Sequence, residues 1–419
     1  MPLTALVDCA NFYCSCERVF APALERVPVA VLSNNDGCII ARSEEVKAMG
    51  IPMGAPYFKH KDRLKKQGVR VFSSNYALYA DMSRRVMDVL HRFSPEVEVY
   101  SIDEAFVHLP HQSPEALAET ARALRQRVLQ WTGIPVRVGL GPTKTLAKVA
   151  NKLAKRTPDG VFSTVDHTDL DALLDTVPVG DIWGVGPAYR RRLEQEGVRT
   201  ARALRDLPDV WVRRHLTVVG LRTVWELRGI SCLPLELLPP TRKGITRSRS
   251  FGEPVEALGG LQEAVACYIS RAAEKLRTFD LDAMVLQVFI MTNRFAHGPK
   301  YANAATVRLP CATNYTPELL KAALACLDRI YRPGYAYKKA GVTLSGLVSH
   351  TPMQGHLFLQ RDPRADALMH AVDRLNGRRG RHVVFLARCG VQRPWSTRRA
   401  HTSPHYTTRW DELPEVTGI

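Results

Sequence analysis

The chain has 419 residues, 45% of them hydrophobic and 24% charged, with 58 Lys and Arg set against 41 Asp and Glu. That length is too great for one ordinary core and calls for two to four domains, and its longest apolar run falls far short of a membrane span. The formal charge of +17 selects a polyanionic partner, nucleic acid ahead of an anionic membrane. The opening "MPLTALVD" lacks a basic region followed by an apolar stretch, so no secretory signal is expected. Nine cysteines, an odd number scattered from Cys9 to Cys389, read as reduced cytosolic thiols rather than a disulfide framework.

The first apolar run, "ALV", reads as a buried strand that ends in Asp8. A carboxylate at the end of a core strand is costly unless it is paired or metal-bound. Cys9, Cys14 and Cys16 crowd the same stretch, but Cys14 and Cys16 are one residue apart and no C-x2-C pair occurs. Such spacing does not make a zinc knuckle, and these thiols are expected to pack in the core. "ERVFAPALERVPVAVLSNNDGC" then predicts helix, turn and strand.

Residues 96–109, "EVEVYSIDEAFVHL", predict a strand, a tight bend and a second strand, with Asp103 and Glu104 just past the bend. Carboxylates on neighbouring strands can hold two hard cations about 3.5–4 Å apart. Mg²⁺ suits such a site, because it takes few protein carboxylates and completes its shell with water and phosphate oxygens. Phosphoryl transfer then asks for positioning and charge stabilisation. Residues 138–160, "VGLGPTKTLAKVANKLAKRTPDG", predict a Gly-rich strand exit and a helix. On that helix Lys144, Lys148, Lys152 and Lys155 share one stripe, the pattern of a solvated basic face. The element order implies a small α+β sheet, ferredoxin-like, with helices on one face. Polymerase palms and nucleotidyl cyclases both use that sheet.

Four segments in order, "VDCANFYCSCE", "SNNDGCIIARSEEVKAMGIPMG", "YSIDEAF" and "GLGPTKTLAKVANKLAK", resemble the Y-family, or translesion, DNA polymerases. "FSSNYALYADMS", "DIWGVGPAYRRRLEQEGV", "RSRSFGEPV", "YKKAGV" and "SPHYTTRWDELP" are similar to the UmuC branch, so the resemblance spans nearly the whole chain. It implies an error-prone DNA polymerase of the SOS response. Asp8, Asp103 and Glu104 would be the catalytic metal ligands for two Mg²⁺ ions, with the Cys9 carbonyl as a further ligand. Tyr13 falls at the steric-gate position, which excludes a ribose 2′-OH. Lys155 would meet the incoming triphosphate. Lys47 stands where the wider family usually has Arg, which gives up bidentate phosphate contacts. Glu44 lies where many relatives offer a Tyr to the triphosphate; an acid there repels phosphate, and it is left out of the site.

The implied layout is a palm at 1–15 and 79–165, small fingers at 16–78, a helical thumb at 166–236, a linker at 237–245 and a little finger at 246–350. A C-terminal tail, 351–419, follows. In the thumb, Gly184 and Gly186 mark a turn of helix-hairpin-helix type, whose backbone N–H groups can hold a DNA phosphate. Arg247 and Arg249, on alternate positions of the first little-finger strand, are expected to contact phosphates. Gln354, Leu357 and Phe358 fit the Q-x-x-L-F pattern of a sliding-clamp peptide. The branch also implies a processed UmuD-like dimer and a RecA filament as partners beside primer-template DNA and dNTP. No membrane is expected to be a partner, and the implied location is the bacterial cytoplasm at the nucleoid. Two other readings stay open at this stage: a non-catalytic DNA-binding scaffold and a palm-fold cyclase.

Overall fold

The computed structural model describes residues 3–110, 112–165, 167–238, 240–350, 364–379 and 383–413. The chain divides into two compact units, one of residues 1–33, 37–239 and 401–419, the other of 34–36 and 240–400.

The first unit is built on strands β1 (Leu3–Cys9), β2 (Val29–Leu32), β3 (Ile39–Arg42), β4 (Arg70–Ser73), β5 (Val97–Val99), β6 (Glu104–Leu109), β7 (Val136–Gly141) and β8 (Val161–Ser163). Five of them form a sheet in the order β5-β6-β1-β7-β8. With the segment carrying β2–β4 set aside, the ferredoxin-like order is present: β1, helix Tyr76–Leu90, β5, β6, helix Pro114–Thr132, β7. Alternation along the strands divides their side chains between two faces. Leu3, Ala5 and Val7 of β1 join Ala105, Val107, Val136, Val138 and Leu140 in a core shared with those two helices. Leu6 and Phe106 point the other way and pack against Ala147 of the helix Lys144–Ala154.

That helix corrects the expectation that all helices lie on one face. The glycines of β7 explain how it fits so closely: a Cβ on Gly139 would stand 2.1 Å from the Asn151 nitrogen, and one on Gly141 2.6 Å from that of Ala147. The Gly-rich strand exit therefore serves the approach of helix to sheet. Asn151, itself buried, fastens the two by donating to the carbonyls of Leu6 (3.1 Å) and Arg137 (3.0 Å). Thr143 caps the helix through Leu146 N–H, and the fully buried Glu226 accepts from Thr145 N–H (3.0 Å) as well as from Cys232 and Leu233 N–H.

Strands β2–β4 form a small separate sheet, β3-β2-β4, with a core of Leu32, Ile39, Val46, Ile51 and Leu64. Helices Leu170–Asp175, Pro187–Gln195, Ala201–Arg205 and Asp209–Leu227 (the last interrupted at Thr217) pack around Leu174, Leu193, Leu204, Val212 and Val224. Residues 401–413 return to this unit, where Ser73 N–H donates to the His401 carbonyl.

The second unit holds β9 (Gly244–Val255), β10 (Leu281–Thr292), β11 (Ala302–Thr313) and β12 (Tyr337–Ser349), all antiparallel in the order β11-β10-β12-β9. Helices Leu258–Thr278 and Thr316–Ile330 bury Leu261, Ile269, Leu319 and Leu327 against Ile245, Leu286, Val288, Val342 and Leu344 on one sheet face. The helix Arg364–Arg379 and residues 383–400 belong to this unit too. The stretch expected as one tail is thus divided between the two units.

Candidate active site

Three strand ends of the five-stranded sheet meet at one edge. Antiparallel pairing sets Asp8 of β1 opposite Glu104 of β6 on one side and opposite Arg137 of β7 on the other. All three lie on the face covered by the helix Lys144–Ala154, because they share parity with Leu6, Phe106 and Gly139. Asp103 occupies the bend before β6, and its carbonyl accepts from Cys9 N–H (2.8 Å), which locks the bend to the end of β1. Ser101 shapes the same bend. Its Oγ donates to the Asp103 carboxylate (2.6 Å) and accepts from the N–H groups of Asp103 and Glu104.

Burial is the main influence on Asp8, and with the Glu104 and Asp103 charges it outweighs Lys155 and Arg137 to push the carboxyl up to about 6. Lys148 Nζ meets Glu104 Oε2 at 2.5 Å and lies over the rings of Tyr100 (4.6 Å) and Trp183 (5.2 Å). Among the described residues no three His, Cys, Asp or Glu side chains stand close enough together to hold one ion. Glu104 is turned to Lys148 and Asp103 to Ser101. The donor chemistry nonetheless fits a hard divalent cation. Three carboxylates repel one another at a partly buried strand edge, and a cation relieves the cost that raises Asp8. Asp8, Asp103 and Glu104 would hold it once Glu104 turns from Lys148.

Tyr13 sits in the first turn of the helix Phe12–Val19, after Asn11 in a left-handed conformation. Its ring stacks on Tyr79 (centroids 4.3 Å apart, planes 13° apart) and meets Tyr76 edge-on. Burial, followed by the Tyr76 and Asp103 groups, pushes its hydroxyl up to about 12. Lys47 Nζ donates to Asn11 Oδ1 (2.5 Å) and Glu44 Oε1 (3.1 Å), and Arg137 reaches the same Glu44 oxygen (3.1 Å). Glu44, set aside in the sequence, thus ties together Lys47, Arg137 and Asn11. Lys155 caps the C-terminus of the helix Lys144–Ala154 and lowers Asp8 electrostatically.

Two lysines of the stripe, Lys144 and Lys148, are withdrawn from solvent rather than part of a solvated face, while Lys155 is exposed. Lys144 is buried in an ion pair with the buried Glu98 and also donates to the Pro234 carbonyl (2.8 Å); Lys148 holds Glu104, and Lys152 pairs with Asp181. Cys9, Cys14 and Cys16 are all buried free thiols, Cys14 donating to the Val29 carbonyl, and burial pushes the Cys14 thiol up to about 12. Arg137, Lys148 and the ring of Tyr79 were missed as site residues. The only signal in the sequence is Arg137 as the lone charge in "VRVGLG", and the register that makes it matter cannot be read there.

Elsewhere in the first unit Gly184 has a φ of +89° and Gly186 precedes the helix Pro187–Gln195, the turn expected for a backbone phosphate site. In the second unit Arg247 and Arg249 are on the helix-covered face of the edge strand, paired with Val342 and Ala340. They line a cleft of about 540 Å³ together with Tyr268, Arg271, Lys275 and Arg393. Burial first, and the Arg247 and Arg242 charges behind it, hold Lys275 below its ordinary range. The opposite face is polar, with Thr246 paired to Thr343 and Gln287 to Thr306. Gln354, Leu357 and Phe358 lie outside the described residues.

Comparison with known proteins identifies the family. The impB/mucB/samB family matches residues 7–152 and its C-terminal domain residues 242–357, while a domain of unknown function matches 366–416. Protein UmuC of Salmonella typhimurium is 44% identical over 98% of this chain and 99% of its own, and Protein ImpB of the same species 42% identical over 98% of each. A Y-family DNA polymerase chimera of Dbh and Dpo4 shares the fold, with a TM-score of 0.67 at 20% identity over 83% of this chain and 99% of its own. Full-length identity of that order leaves no second family to consider: the chain belongs to the impB/mucB/samB family, the UmuC branch of the Y-family DNA polymerases.

Proposed function

We infer that the chain is a DNA-directed DNA polymerase that carries out translesion synthesis in SOS mutagenesis, taking DNA and dNTP as substrates and using divalent metal. The observation that carries this reading at the level of chemistry is the register of β1 and β6, which brings Asp8 and Glu104 side by side with Asp103 at the adjoining bend.

Asp8, Asp103 and Glu104, with the Cys9 carbonyl, would hold two Mg²⁺ ions. Bound there, the metal supplies charge stabilisation for attack of a primer 3′-OH on the α-phosphorus of a dNTP and for departure of pyrophosphate. The chain's own groups do the rest. Lys155 and Lys47 face the triphosphate, and Lys47 is drawn to it from its contacts with Asn11 and Glu44. Tyr13, braced by Tyr79, closes the space a 2′-OH would need. Lys148 holds the Glu104 carboxylate in an ion pair until the substrate complex forms.

The turn at Gly184 and Gly186, and the cleft at Arg247 and Arg249, would hold the phosphate backbone of primer-template DNA. Gln354, Leu357 and Phe358 would dock on a sliding clamp, and the C-terminal region on a processed UmuD-like dimer and a RecA filament. No helix among the described residues is long and apolar enough to cross a membrane, and the charge suits a cytoplasmic, nucleoid-bound enzyme. The palm would take residues 1–15 and 79–165, the fingers 16–78, the thumb 166–236 and the little finger 246–350. The Lys148–Glu104 pair would also suit a non-catalytic DNA-binding scaffold. Primer extension across an abasic site, with and without the accessory dimer and RecA, separates the two: lesion-dependent extension supports the polymerase, and DNA binding without any extension supports the scaffold.

A further inference from the structure

The C-terminal segment 401–406 is attached to the same helices that carry the sugar gate. Ser73 at the end of β4 donates its N–H to the His401 carbonyl (2.8 Å) and accepts His401 N–H at its Oγ (3.0 Å). Asn75 caps the helix Tyr76–Leu90 with its side-chain oxygen, and its Nδ2 donates to Ser403 Oγ (3.1 Å) and the Pro404 carbonyl (3.1 Å). Tyr406 stacks on Phe20, with centroids 4.9 Å and planes 8° apart. Between these anchors Ser403 Oγ donates to Glu17 Oε1 (3.1 Å), and the same oxygen accepts from Tyr79 Oη (2.6 Å). Glu17, Tyr79 and Ser403 are at most 3% exposed, so no water competes for these bonds.

Glu17 stands four residues after Tyr13 on one helix, which puts both side chains on the same face. Both address Tyr79: Tyr13 lies flat on its ring, and Glu17 pins its hydroxyl. A tyrosine held only by stacking can slide or tilt under its partner, whereas one tethered at its hydroxyl cannot. A buried carboxylate needs donors to be tolerated there, and Ser403 supplies the second of the two.

We propose that Ser403 and Glu17 are positioning residues for the sugar gate, the C-terminal segment fixing Tyr79 through Glu17 and Tyr79 fixing the ring of Tyr13, so that the end of the chain takes part in selecting dNTP over rNTP. This rests on the reading of Tyr13 as the gate. It gives the last part of the C-terminal family segment a role inside the polymerase unit.

The test is the ratio of rNTP to dNTP insertion efficiency, measured with the full-length chain, its accessory partners and an undamaged primer-template. Tyr79→Phe, which keeps the ring and removes the hydroxyl, and Ser403→Ala should each raise the ratio roughly three- to tenfold, the effect of one buried hydrogen bond. The dNTP efficiency of Ser403→Ala should stay within about twofold of the parent, since a loss spread over both sugars is what mere loosening of the fold gives. Ser403→Thr, which keeps a hydroxyl, should restore the parent ratio. In a Tyr13→Ala background neither change should move the ratio further, because the ring being positioned is gone. An unchanged ratio in Tyr79→Phe and Ser403→Ala, or a shift that persists without Tyr13, overturns the proposal. If Tyr13→Ala itself leaves the ratio unaltered, the gate reading fails as well; if it raises the ratio while the other two do not, the gate stands and only the proposal falls.

Discussion

The two larger sheets of this molecule are built around one sequence of elements, strand, helix, strand, strand, helix, strand, and paired in different orders. In the first unit the opening strand β1 is central, between β6 and β7; in the second the opening strand β9 is at the edge, beside β12 alone. A central strand has neighbours on both sides, so its end brings together side chains from three elements. Asp8 gains Glu104 from one neighbour and Arg137 from the other, and the price is a buried carboxyl raised to about 6. An edge strand has one neighbour and an open flank, and here Arg247 and Arg249 border a cleft of about 540 Å³. The first arrangement suits chemistry that demands fixed, partly dehydrated charges. The second suits gripping a polymer whatever its sequence.

That contrast can be broken at several points. Asp103→Asn with Glu104→Gln should cut single-turnover nucleotide insertion by roughly a thousandfold or more while primer-template binding is retained; extension at the parent rate would remove these carboxylates from the chemistry. Tyr13→Ala should raise ribonucleotide incorporation by roughly ten- to a hundredfold, read by alkaline cleavage of the product strand.

Stability should follow the same division. Lys144 and Glu98 form a buried pair, and Glu98 also accepts the Glu236 N–H (2.8 Å), so Glu98→Ala should cost about 3–5 kcal/mol in thermal or denaturant unfolding. The exposed Arg398–Glu253 pair of the second unit should lose under about 1 kcal/mol in Glu253→Ala. Equal losses at the two sites would argue that burial does not distinguish the units. The smallest effect is expected from Arg247→Ala with Arg249→Ala. If both arginines neutralise phosphates, the slope of log affinity against log salt should become shallower by about two, with sugar selection untouched.

What could be read in advance follows from the range over which each signal acts. A short apolar run and alternation over a few residues are local signals, so β1 from the first and β5 and β6 from the second were legible, and a carboxylate closing an apolar strand drew attention to Asp8 before any fold was known. The bend carrying Asp103 and Glu104 was visible for the same reason. The lysine stripe misled because spacing on a helix reports which residues share a face, not what that face meets. Lys144 meets a glutamate 46 positions away and Lys148 one 44 positions away. The face of the sheet taken by the helix Lys144–Ala154 was equally hidden, since Gly139 and Gly141 admit a close neighbour without naming it. Glu44 was discounted as a phosphate repellent, yet its role is to hold Lys47 and Arg137, a pairing that depends on register. The hydrogen bond from Ser403 to Glu17, across 386 positions, leaves no local trace.

The claim that chemistry lives in the first unit's central strand and grip in the second unit's edge strand is tested most directly by measuring two quantities on the same samples. Asp8→Asn and the Arg247→Ala, Arg249→Ala pair would each be assayed for single-turnover insertion at saturating DNA and for primer-template affinity. The account predicts that Asp8→Asn abolishes insertion with affinity intact, and that the arginine pair weakens affinity while insertion by the bound fraction persists. Insertion by Asp8→Asn at the parent rate, or loss of insertion in the fully bound arginine variant, would contradict it.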